Sequence, residues 1–130
     1  MIVFSNQRLG PAAEVLVSSD VAAAMLRSTA EAARPLAEGR WEYECVLWLE
    51  DRSRRVGAEG EAGLDVGEIA WTPDHFERQK SFVTAAIQRA ALGSEHARAL
   101  SLWARQVGAH PRESVVVGRR WRWAVEASSI

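Results

Sequence analysis

Arg40-Trp41-Glu42-Tyr43-Glu44-Cys45-Val46-Leu47-Trp48-Leu49-Glu50-Asp51 is the stretch on which the fold turns. Read with a period of two, Trp41, Tyr43, Cys45, Leu47 and Leu49 share one side, and Glu42, Glu44, Val46, Trp48 and Glu50 the other. Alternation of this kind, with aromatic and β-branched residues in it, is the pattern of a strand with one covered face. It predicts a strand over 40–51 whose second face sets Trp48 among acids. Arg52 to Asp65 follows as a polar segment spaced by Gly57, Gly60 and Gly63, the composition of a long hairpin loop. Val66 to Trp71 then reads as the returning strand.

On the N-terminal side, Met1 to Phe4 and Glu14 to Val17 are short apolar runs on either side of Gly10-Pro11, the pattern of a hairpin. Ser18-Ser19-Asp20 supplies N-cap oxygens for a helix whose apolar stripe is Val21, Met25, Thr29, Ala32 and Leu36. Pro35 should end it near Ala33, because proline has no N–H and clashes with the preceding turn. On the C-terminal side, Thr72-Pro73-Asp74 is a helix start, and Phe76, Val83, Ile87 and Ala90 continue it. Gly93 and Ser94 stop that helix and cap the next, which carries His96, Leu100, Trp103 and Val107 at spacings of 4, 3 and 4. Glu113 to Glu126 alternates as a final strand after the break at His110-Pro111. The expected fold is α+β over a single domain, 1–130. It has a mostly antiparallel sheet with helices packed on one face, in the order β-β-α-β-β-α-α-β.

Composition narrows the class of function. The chain has 130 residues and a formal charge of −1, with 48% hydrophobic and 25% charged residues, as in ordinary globular proteins. A sequence-blind nucleic-acid binder is usually strongly basic. One cysteine, Cys45, cannot form an internal disulfide or a Cys-rich metal site, which favours a reducing compartment. The longest run free of Asp, Glu, Lys and Arg is the eight residues Ser81 to Gln88, far short of the roughly 20 a membrane span needs. No signal peptide is apparent, so the expected location is the cytoplasm.

Chemistry-bearing residues are sparse. His75, His96 and His110 are scattered without metal-ligand spacing, although His75 and His96 both fall in first turns of helices. They define one alternative, a small hydrolase or metal-dependent enzyme. No nucleophile elbow or phosphate loop is present, and the glycines of 57–63 are interleaved with Glu59 and Glu61, which oppose an anion. Cys45, on the apolar side and among glutamates, reads as structural. Arg119, Arg120 and Arg122, interleaved with Trp121 and Trp123, define a second alternative, a nucleic-acid module. Alternation there puts tryptophan and arginine on opposite faces, so nucleic acid is not the expected partner. No cofactor and no metal are expected.

Charge is unevenly spread. Residues 38–77 hold eleven acids and four arginines, net −7, and residues 78–130 hold three acids and nine bases, net +6. Either the halves neutralise one another, or the acidic hairpin is a patch for a basic partner. In the second case Glu42, Glu44, Glu50, Asp51, Glu59, Glu61 and Asp65 supply the charge and Trp48 an apolar anchor, since tryptophan is enriched at interface hot spots.

Ile69-Ala70-Trp71-Thr72-Pro73-Asp74-His75-Phe76-Glu77-Arg78-Gln79-Lys80-Ser81-Phe82 reads as strand, W-x-P, then a helix with F-x-x-Q-x-x-F. Together with 41–51, it resembles small α+β immunity proteins of bacterial contact-dependent and polymorphic toxin systems, over about residues 40–92. The resemblance implies a small non-catalytic cytoplasmic protein, and a monomer or a homodimer is expected. It would bind a cognate toxin domain, often a basic nuclease, and neutralise it by electrostatic and steric occlusion.

Overall fold

The computed structural model describes residues 1–6, 14–60, 67–71, 76–91, 93–109 and 121–127. The N-terminal hairpin forms as expected: β1 (Ile2–Asn6) pairs antiparallel with β2 (Val15–Val17), Phe4 opposite Val15. Helix α1 (Ser19–Ala33) starts where the cap residues placed it, with the Val21 N–H donating to Ser18 Oγ at 3.3 Å. It stops before Pro35 in a 3₁₀ turn, Arg34–Leu36. Val21, Met25, Thr29 and Ala32 are buried, but Leu36 lies beyond the helix and is exposed.

The stretch 40–51 is not a strand. It is the first part of α2 (Arg40–Glu59), which also takes in the start of the expected hairpin loop. The buried residues of α2 are Cys45, Val46, Leu49, Ser53 and Val56, at helical spacing, and Trp41 and Trp48 pack beside them against the core. Three features favour the helix. No Gly or Pro interrupts 40–56. The Glu42 carboxylate accepts from the Gly39 N–H at 3.0 Å and from the Glu38 N–H, satisfying amides the first turn leaves open. Finally, Arg40–Glu44 and Asp51–Arg55 are ion pairs at i,i+4. Burial against α1 then decides the outcome, with Ser53 Oγ donating to the Ala23 carbonyl at 3.1 Å. Gly60, at φ +61°, ends α2, so the expected loop shrinks and its Gly63 tip lies outside the described residues.

β3 (Gly67–Trp71) is the expected returning strand, but its neighbour is β4 (Trp121–Ala127), with Ile69 opposite Trp123. β4 also pairs with β1, Phe4 opposite Val125, and gives an antiparallel sheet in the order β2-β1-β4-β3. Helices α3 (Phe76–Arg89) and α4 (Glu95–Ala109) form the expected αα-hairpin. Its turn uses Gly93 at φ +77° and the Ser94 hydroxyl, which accepts from the Ala97 N–H at 3.3 Å. The fold is α+β but helix-rich, and the described order is β-β-α-α-β-α-α-β. The core is continuous: α1 packs on α2, α3 and α4, and Trp103 of α4 meets Phe4 of β1 edge to face at 5.0 Å.

Candidate protein-binding face

Helix α2 carries six of the eight residues singled out for binding, but winding them on a helix separates them. Glu42 and Glu44, neighbours on one side of a strand, lie about 200° apart on a helix. Glu42 turns inward. Besides capping α2 it receives Arg78 Nε at 3.1 Å, and Arg78 also reaches Glu38 at 2.7 Å. This arginine, the first residue of the basic segment, joins it to the start of the acidic one. Trp48 is half-buried against the core, so it is not an exposed anchor among acids.

Glu44 and Asp51 lie on the outer side of α2 and Glu50 at the edge facing α1, and each has a cation of this chain beside it. Glu44 pairs with Arg40 at 3.2 Å, Asp51 with Arg55 at 3.1 Å, and Glu50 with Arg34. Arg34 is held more firmly in its charged form by Glu50 and then by the Tyr43 hydroxyl. Glu59 is exposed at the last turn of α2, and Glu61 and Asp65 lie outside the described residues. On α2 itself the acids are largely offset, five against four, because all four arginines of residues 38–77 sit on this helix.

What the outer side of α2 does present is Tyr43 and Leu47, 49% and 45% exposed, one turn apart. The sequence reading placed both in the core. Their exposure follows from the helical frame, because at 100° per residue position 47 lies about 160° from Cys45 and Leu49, and position 43 about 160° and 120° from them. An apolar pair rimmed by charge is the composition of a protein-contact surface. Beside it a cleft between α1 and α2 is lined by Arg27, Ala30, Glu31, Glu50, Ser53 and Arg54.

The other candidates fare differently. Cys45 is buried, and loss of water around its thiolate pushes the thiol up to about 12, which keeps it protonated and unreactive at neutral pH. His96 is half-buried in the first turn of α4, while His75 and His110 lie outside the described residues. Among the described residues no group of three or more His, Cys, Asp or Glu is arranged to hold a metal ion. Arg122 sits in β4 opposite Ala70, and Arg119 and Arg120 lie outside the described residues. No described helix is long and apolar enough to cross a membrane. Comparison with protein-family models, curated proteins and solved structures finds no match.

Proposed function

We propose that this chain is a non-catalytic binding protein of the immunity type, which neutralises a cognate bacterial toxin domain in the cytoplasm by covering it. The observation that carries the reading is the exposed Tyr43–Leu47 pair on a helix whose opposite side is fully engaged in the core. A rigid helix offering an aromatic and an aliphatic side chain, with polar residues at the rim, suits docking against another protein. Glu44, Glu50 and Asp51 serve as that rim. They are already paired within the chain, so they contribute orientation and specificity more than bulk attraction. Occlusion by shape is then the main mechanism, with charge in second place.

The test is co-purification with the variable C-terminal domain of a secreted protein encoded directly upstream. Leu47→Glu is expected to weaken that complex by tenfold or more in a calorimetric titration while leaving the thermal midpoint of the free protein nearly unchanged. An unaltered affinity would remove α2 from the interface. The absence of any complex with the wild-type chain would remove the immunity reading itself.

A further inference from the structure

One stripe of α2 follows a strict alternation of three and four: Arg40, Tyr43, Leu47, Glu50 and Arg54, with Glu50, 33% exposed, at the edge of the cleft against α1. That is the seam of a two-helix coiled coil, about 21 Å long at 1.5 Å per residue. Tyr43 and Leu47 are the apolar knobs, each about half exposed, with the Tyr43 hydroxyl beside Arg34. Arg40 and Arg54 project into solvent with side chains 92% and 79% exposed.

We infer that the free chain pairs with a second copy of itself, α2 against α2, antiparallel about a two-fold axis. The charges select that register. With Tyr43 of one protomer opposite Leu47 of the other, Arg40 of each falls opposite Glu50 of the other, so both apolar contacts and both ion pairs form twice by symmetry. Sliding the pair by one heptad sets Tyr43 against Arg54 and Leu47 against Glu50, which leaves both apolar residues facing charge. A parallel pairing sets Arg40 on Arg40 and Glu50 on Glu50, a like-charge clash at each end.

Glu50 already accepts from Arg34, but a carboxylate has room for a second donor. Arg40 gives up its exposed pair with Glu44, a contact that costs little to lose in water. With so short a seam, the interface belongs to the small, transient class, and the dimer depends on concentration. It rests on the docking face proposed above and gives that face a resting occupant. Binding a toxin domain and self-pairing exclude one another.

Sedimentation equilibrium over about a hundredfold range of protein concentration tests this. The wild-type chain should move from monomer towards dimer as concentration rises. Arg40→Glu and Glu50→Arg should each weaken the dimer by tenfold or more, because each places like charges at both ends. An equimolar mixture of the two variants should recover it, because both end contacts are then attractive in the heterodimer. A wild-type chain that stays monomeric, single variants that dimerise as well as the wild type, or a mixture that fails to recover would each overturn the proposal. If Glu50→Arg does not fold, Arg40→Glu and Tyr43→Ala at exposed positions carry the test, and an unchanged dimer in either overturns it. A monomeric chain that still captures the toxin domain would sink the self-pairing and leave the immunity reading standing, and a dimer with no capture would do the reverse.

Discussion

The Cys45 thiol illustrates how one buried group couples folding to pH. Burial is the main cause of its raised pKa, the neighbouring Gln79 side chain offsets part of it, and the Glu42 charge adds to it. In the unfolded chain the thiol ionises near its ordinary value of about 8.5, whereas in the folded chain it holds its proton to about 12. Between those values the unfolded state binds fewer protons, so stability falls as pH rises through that window. At neutral pH both states are protonated and the effect vanishes. Urea unfolding of the wild type and Cys45→Ala should therefore show a gap that is largest near pH 8, from the lost packing, and narrows towards pH 11. A gap constant over that range would mean that the thiol is not held out of water.

Helix α2 shows why a sequence can point to the right segment and the wrong face. Its first twelve residues satisfy two periods at once. Glu42, Glu44 and Glu50 alternate with apolar residues as in a half-buried strand, yet Cys45, Val46, Leu49, Ser53 and Val56 also fit a helix stripe. The window 40–51 ends before Ser53 and Val56, which break the tie. The signals that decide it are local: Glu42 three residues after Gly39, and charge pairs four apart. Elements with punctuation of their own, such as Ser18 before α1 and Gly93-Ser94 between α3 and α4, were legible for that reason. The binding face inherits the error. The strand period turns Tyr43 and Leu47 inward and Trp48 outward, and the helical period reverses all three. Glu42 should be the weak point of the element, since its carboxylate serves two backbone amides and Arg78. Glu42→Ala is expected to cost about 1–2 kcal/mol in denaturant unfolding, more than the loss of a surface ion pair explains. Glu44→Ala, which removes only the exposed pair with Arg40, should stay within about 0.5 kcal/mol. Equal losses would mean that the cap is not formed.

At the scale of the molecule, Trp103 of α4 packed edge to face on Phe4 of β1 ties the helical layer to the sheet. Trp103 is 1% exposed, so Trp103→Ala removes a large filled volume at that junction. A loss of about 3–5 kcal/mol is expected in denaturant unfolding followed by far-ultraviolet circular dichroism. A loss under about 1 kcal/mol would mean that the sheet is held by other contacts. The strand order carries a different consequence, one of sequence in time. The two central strands, β1 and β4, lie at opposite ends of the described chain, with Ile2 across from Ala127. Helices α1 and α2 are neighbours in sequence and can pair while the rest of the chain is still being synthesised. The sheet cannot, because each inner strand waits for a ladder partner more than a hundred residues away. During synthesis the nascent chain therefore holds β1 and β2 as an incomplete edge until β4, more than a hundred residues later, has emerged.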